Sequence, residues 1–148
     1  MSKFEGIVPA IPTPMDGQGQ IAEEALRKLV EFNIEAGVHG FWVAGGTGES
    51  VLLDDGENKR VAEIVIDQGK GRVNNIIHVG ATTTTRAAGL AEHAAKVGAE
   101  AICCVPPFFY RRSDEEIVET LNGCICCSVR QDLVLLLHFC SCKIQFIV

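Results

Sequence analysis

The stretch VHGFWVAGGTGES, residues 38–50, decides the fold class of this chain. It begins with a short apolar run, Val38–Ala44, which is typical of a strand buried in a parallel sheet. Three glycines then fall within Gly45–Gly48, where they allow the backbone to approach a ligand and to point successive N–H groups at an anion. The stretch therefore predicts a buried strand that ends in an anion-binding loop or in a plain tight turn.

The chemistry of this loop favours a carboxylate over a phosphate. The sequence contains neither G-x-x-x-x-G-K nor G-x-G-x-x-G, and the Glu49 side chain would repel a phosphate. Backbone N–H groups together with the Thr47 hydroxyl suit the carboxylate of a small keto acid. If the loop binds a ligand, we expect a keto acid of this kind.

Strands and helices alternate on both sides of the loop. Apolar strands are predicted to start near residues 7, 38, 76 and 101. Each is followed by a helix with recognisable end signals. The first covers 22–36 before Gly37, the second runs from Asp54 or Asp55 to about Gln68, the third runs from Thr84 or Thr85 through Val97 before Gly98, and the fourth is opened by Ser113 and Glu116. Four βα units imply a parallel sheet covered by helices, in a doubly wound sheet or a (β/α)₈ barrel.

The end of the fourth predicted strand carries Tyr110, the only tyrosine. A hydroxyl at a strand end can line a pocket or relay a proton. The same ring can instead fill space between helices or protomers. Tyr110 is therefore a candidate catalytic residue with a structural alternative.

Several ordered motifs resemble the dihydrodipicolinate synthase/N-acetylneuraminate lyase family. They span about residues 4–120 and comprise GIVPAIPTP at 6–14, GGTGES at 45–50, HVGA at 78–81, AEHAAKVGA at 91–99 and VPPFFY at 105–110. The resemblance implies a (β/α)₈ barrel and a homo-oligomer. Because a complete barrel needs roughly 200–250 residues, we expect a truncated barrel of about four βα units, with a possible fifth strand.

The resemblance also implies class I aldolase chemistry on pyruvate or another 2-oxo acid, with no cofactor. In this family a lysine on the sixth strand forms a Schiff base with the 2-oxo acid, and the imine serves as the electron sink. Carboxylate binding is carried over to Gly46 and Thr47. The relay tyrosine of the synthases aligns with Phe109, one position before Tyr110. Many relatives have Ser or Thr at the place of Gly46, where the hydroxyl joins a proton relay that a glycine cannot supply. The resemblance therefore leaves the reaction open among condensation, cleavage and dehydration.

None of the lysines lies at the C-terminal end of a recognisable strand. The six are Lys3, Lys28, Lys59, Lys70, Lys96 and Lys143. We therefore expect a fragment of a lyase or aldolase that is inactive alone. The alternative is a non-catalytic interaction protein that pairs with itself or with a full-length relative.

Composition changes abruptly near Thr120. Residues 1–120 hold 18 Asp/Glu and 11 Lys/Arg, whereas the last 28 residues hold one and two, with five of the seven cysteines. We predict a half-barrel over residues 1–121 and an atypical tail over 122–148. Either residues 132–138 form the fifth strand, with His138 at the place of a catalytic tyrosine, or the tail is unrelated sequence from a frameshift or alternative exon, which its composition favours. A zinc site built from the tail cysteines is a third hypothesis.

Composition also excludes several classes of protein. A net charge of −6 and a pI near 5.2 exclude a strongly basic nucleic-acid binder. The longest apolar run, Leu133–Leu137, is far shorter than the roughly 18 residues of a membrane span. The first residues do not resemble a secretory signal, so we expect a cytoplasmic location and reduced thiols.

Overall fold

The computed structural model describes residues 4–107, 110–127, 134–137 and 145–147. The chain divides into two compact units, Met1–Ile77 and His78–Val148. The elements in chain order are α1 (Glu23–Glu35), β1 (Gly40–Val43), α2 (Asp55–Gly69), β2 (Asn74–His78), α3 (Thr84–Val97), β3 (Ala101–Cys104), α4 (Asp114–Cys127), β4 (Val134–Leu137) and β5 (Gln145–Ile147).

In the first unit, β1 and β2 pair in parallel from Gly40 opposite Asn74 to Val43 opposite Ile77. The predicted strand near residue 7 is reduced to a parallel bridge between Ala10 and Trp42. The Ile11 N–H donates to the Trp42 carbonyl at 3.2 Å. Prolines at 9, 12 and 14 have no N–H to donate, which explains why this segment forms no longer strand.

The first unit's helices lie where sequence predicts them. α1 buries Leu26 and Val30 completely, and the chain turns after it at Gly37, whose φ is +86°. α2 begins with a reciprocal capping box in which the Asp54 carboxylate accepts from the Glu57 N–H and the Glu57 carboxylate accepts from the Asp54 N–H, both at 2.8 Å. These two bonds satisfy N–H groups that have no partner inside the helix.

The second unit repeats the strand–helix order. β3 pairs in parallel with β4, from Ala101 opposite Val134 to Cys104 opposite Leu137, and β5 runs antiparallel to β4. α3 is capped by Thr83 rather than by Thr84 or Thr85, because the Thr83 hydroxyl accepts from the Arg86 N–H at 3.3 Å. The predicted α/β class, with parallel strands and intervening helices, is confirmed within each unit.

The tail contributes two of the described elements. β4 falls inside the predicted fifth strand, residues 132–138, whereas β5 was not predicted. α4 begins directly after Ser113, which forms the predicted capping box with Glu116, and it continues to Cys127, past the predicted boundary at residue 121. The domain boundary and the origin of the tail stay predictions. Within the described part of the chain, no helix has the length and apolar character needed to cross a membrane.

Candidate functional site

The glycine loop follows β1 directly and reverses the chain within six residues. The Glu49 N–H donates to the Gly46 carbonyl at 3.1 Å, and the Ser50 N–H reaches the Gly45 carbonyl at 3.4 Å. Ala44 and Glu49, at the two ends, have left-handed φ angles of 53° and 57°. Such a conformation costs a non-glycine residue roughly 1–2 kcal/mol. The surrounding contacts therefore hold the loop in a shape that its sequence does not favour locally.

Two glycines of the loop differ in their surroundings. Gly48 is buried, and a Cβ there would lie 2.9 Å from the Ala44 Cα and 3.3 Å from the Ile11 carbonyl oxygen. Gly46 is exposed, and nothing lies within 4 Å of the place where its Cβ would be. Gly48 is thus required for the close approach of two backbone segments, whereas Gly46 leaves open space beside the loop.

The two residues predicted to bind a carboxylate lie together on the exposed side of the loop. Gly46 and Thr47 are both exposed. Across the described residues, no acceptor takes a hydrogen bond from either N–H group or from the Thr47 hydroxyl. Three adjacent donors are therefore available to a ligand, and such a set suits an anion.

Sequence reasoning missed two residues that hold the loop. The buried Thr13 hydroxyl donates to the Gly48 carbonyl at 2.8 Å. The buried Asn58 amide donates to the carbonyls of Ser50, Leu53 and Asp54 at 3.1, 3.2 and 2.9 Å. Asn58 had a detectable signal, since it is a polar residue in helical register with the buried Val61 and Val65. The Thr13 contact spans 35 residues and has no local signal.

The other catalytic candidates belong to the second unit or lie outside the described residues. Tyr110 belongs to the second unit and is 70% exposed. Its proposed relay role stays a prediction, and Phe109, with which the relay position aligns, lies outside the described residues. His138 also lies outside them.

Three cysteines of the second unit are buried free thiols, Cys103, Cys104 and Cys124. Burial raises the pKa of Cys103, and contact with the Cys124 thiol together with burial raises the pKa of Cys104. Both are therefore protonated at neutral pH and serve as core residues rather than nucleophiles. Over the described part of the chain, no three His, Cys, Asp or Glu side chains are grouped to hold a metal ion. Most of the tail cysteine side chains lie outside that part, so the zinc hypothesis stays a prediction.

Sequence comparison supplies the family. The model of the Dihydrodipicolinate synthetase family matches residues 3–131. The chain belongs to the dihydrodipicolinate synthetase family. This family member is 44% identical over 114 residues to N-acetylneuraminate lyase 2 of Escherichia coli O6:H1, and 42% identical over 113 residues to the N-acetylneuraminate lyase of Citrobacter koseri. The alignments cover 77% and 76% of the chain but 37% and 38% of those relatives, so the chain spans less than half their length.

Solved structures of the same family are similar in shape. N-acetylneuraminate lyase from Fusobacterium nucleatum matches with a TM-score of 0.87 and 29% identity, over 97% of this chain and 50% of that one. A prophage protein of the dihydrodipicolinic acid synthase family from E. coli K12, solved in complex with pyruvate, matches with a TM-score of 0.86 and 27% identity, over 92% of this chain and 45% of that one.

Proposed function

We propose that this chain carries the carboxylate-binding part of a Schiff-base lyase or aldolase that acts on pyruvate or another 2-oxo acid. The observation that carries the proposal is the exposed donor set of Gly46 and Thr47 at the C-terminal end of β1. In (β/α)₈ barrels the loops at this end of the strands form the active site. We propose that the chain forms the first half of such a barrel. A structural neighbour solved in complex with pyruvate supports a 2-oxo acid as the ligand.

The loop would orient the acid, while a lysine would perform the covalent step. The N–H groups and the Thr47 hydroxyl would hold the carboxylate and leave the keto carbon open to attack by an amine. The described lysines lie on helices or at a helix end: Lys28 on α1, Lys59 on α2, Lys70 at the C-cap of α2 and Lys96 on α3. None of these four lies at the C-terminal end of a described strand. We therefore propose that the 148-residue chain binds the acid but forms no imine by itself.

Covalent trapping tests the second half of the proposal. The purified chain is incubated with pyruvate and borohydride, which reduces an imine to a stable amine, and its intact mass is measured. We expect an unchanged mass. A pyruvyl adduct on any lysine would show that this chain does form the imine.

Amide shifts measured by NMR test the binding half. Pyruvate should shift the amide signals of Gly46 and Thr47, whereas methyl pyruvate, which lacks the carboxylate charge, should not. Thr47→Val removes one donor to a charged acceptor and should weaken pyruvate binding about tenfold. Thr85→Val, at an exposed position on α3, is the control and should bind like the parent. Equal binding of pyruvate and methyl pyruvate would contradict a carboxylate site.

A second candidate function is pairing with another copy of the chain or with a full-length relative. Val51 and Leu52, just after the loop, are 59% and 77% exposed. Two adjacent aliphatic side chains this exposed favour a contact surface. Light scattering after size-exclusion chromatography tests the idea: a dimer that Leu52→Glu dissociates supports it, and a monomeric parent contradicts it.

A further inference from the structure

Two hydrogen bonds fix the peptide unit that joins Gly48 to Glu49. Its carbonyl accepts from the buried Thr13 hydroxyl at 2.8 Å. Its N–H, which belongs to Glu49, donates to the Gly46 carbonyl at 3.1 Å. A trans peptide unit is planar, and its C=O and N–H point in opposite directions. The two hydrogen bonds therefore hold the same rigid plane at both ends and fix its orientation.

The bond between the Glu49 N–H and the Gly46 carbonyl also orients a neighbouring peptide plane. The peptide unit between Gly46 and Thr47 is oriented by its carbonyl, which faces the Glu49 N–H. In a trans unit the Thr47 N–H then points the opposite way. That direction leads away from the hydrogen-bonded inside of the loop, consistent with the exposure of Thr47. The donor proposed to bind the carboxylate is thus aimed by a chain of contacts that begins at Thr13.

We infer that Thr13 is a positioning residue for the carboxylate site and acts through the Gly48 carbonyl; the inference rests on the function proposed above. Thr13 lies between Pro12 and Pro14, and the following proline keeps its backbone extended. Its hydroxyl is buried and needs little reordering when a ligand binds. Without it, the Gly48 carbonyl would lose its partner in a buried setting, and the plane would be held at one end only.

Two pairs of variants isolate the hydroxyl. Thr13→Val replaces the hydroxyl by a methyl group of similar size. Thr13→Ala differs from Thr13→Ser by the loss of the hydroxyl, and this second comparison keeps the test valid if the valine variant does not fold. Thr120→Val is the matched control, because Thr120 is also buried and its hydroxyl also donates to a backbone carbonyl, that of Glu116 at 3.0 Å in α4.

The measurements are pyruvate and methyl pyruvate titrations followed at the Thr47 amide, and hydrogen exchange of the Glu49 amide. We expect Thr13→Val and Thr13→Ala to weaken pyruvate binding about tenfold relative to their hydroxyl-bearing partners. Methyl pyruvate should shift the Thr47 amide neither in the parent nor in any of the variants. Exchange of the Glu49 amide should become about tenfold faster as the loop opens more readily. The Thr13→Ser and Thr120→Val variants should bind pyruvate within about twofold of the parent.

The outcomes separate the two proposals. If the parent chain does not bind pyruvate, the proposed function fails, and the role of Thr13 fails with it. If the parent binds pyruvate but the hydroxyl-lacking variants bind equally well, only the role of Thr13 is overturned. An equal loss in Thr120→Val would also overturn it, because the effect would then reflect general stability.

Discussion

The two helix pairs of the molecule are joined by different chemistry. In the first unit, α1 packs against α2, and charged side chains link the two along a partly exposed edge. The contacts between the helices are Arg60 to Glu23 at 2.6 Å and Arg27 to Asp67 at 2.8 Å. Arg72, in the segment just after α2, adds a contact to Glu31 at 2.7 Å. Exposed pairs of this kind are weak individually and sensitive to salt.

In the second unit, α3 packs against α4 through small and hydroxyl-bearing residues. The Thr84 and Thr120 hydroxyls lie 3.1 Å apart, and because the Thr120 hydroxyl donates to the Glu116 carbonyl, Thr84 is the donor between them. A Cβ at Gly123 would lie only 2.7 Å from the Thr84 Cγ2. The stability of the first helix pair should therefore depend on pH and salt, and the stability of the second pair should depend on side-chain volume.

Adding one methyl group to the second helix pair gives the largest expected effect. Gly123→Ala must displace the Thr84 side chain, and overpacking of this kind costs about 1–3 kcal/mol. After a gain of about 1 kcal/mol in helix propensity, we expect a net loss of up to about 2 kcal/mol. Gly89→Ala on α3 has nothing within 4 Å and should stabilise the chain by about 0.5–1 kcal/mol. Urea unfolding followed by circular dichroism measures both. If Gly123→Ala were as stabilising as Gly89→Ala, the second pair would not be limited by volume.

Local chemistry made the helices of both units predictable. The Asp54–Glu57 and Ser113–Glu116 boxes and the glycines at 37 and 98 act within a few residues, so their signals are present in the sequence. The choice among the four successive threonines at 82–85 was wrong, because their local signals are the same. The first strand was overestimated because its prolines outweigh its apolar pattern.

Contacts between distant segments could not be predicted. The loop was identified from its glycines, but the Thr13 hydroxyl that holds it comes from 35 residues earlier. The antiparallel pairing of β5 with β4 likewise depends on where the chain returns, which no short pattern encodes. What the sequence predicts of the site is its backbone chemistry; what it omits is the set of side chains that fix the backbone.

The capping boxes give the next largest effect and compare the two units directly. Asp54→Ala should cost about 1 kcal/mol, and Ser113→Ala about 0.5–1 kcal/mol, because each leaves a helix-terminal N–H without its partner. We expect Asp54 to matter more, since its bond is 2.8 Å against 3.3 Å and its charge suits the helix dipole. Asp54→Asn and Ser113→Asp keep an acceptor and should restore most of the stability. Equal losses in the alanine and conservative variants would contradict a capping role.

The smallest expected effect is the pH response of the first helix pair. Hydrogen bonds from Arg72 and Gln68 lower the pKa of Glu31 from an ordinary 4.5 to about 2. Because the folded-state pKa is depressed, the ionised form favours folding above about pH 5, and this contribution is lost as the pH falls from there towards 2. Glu31→Gln should therefore unfold at a lower urea concentration than the parent at pH 7, while the two should converge near pH 2.

Added salt and a second charge deletion test whether the Arg72–Glu31 contact causes this pH response. Raising the salt concentration to about 1 M shortens the Debye length to about 3 Å and should shrink the difference between parent and Glu31→Gln at pH 7. Glu119→Gln on α4 removes one carboxylate from the second unit, where the described contacts give it no ion pair, and should show neither the pH convergence nor the salt response. A Glu119→Gln variant that behaved like Glu31→Gln would mean that overall net charge, rather than the Arg72 contact, sets the acid response of this chain.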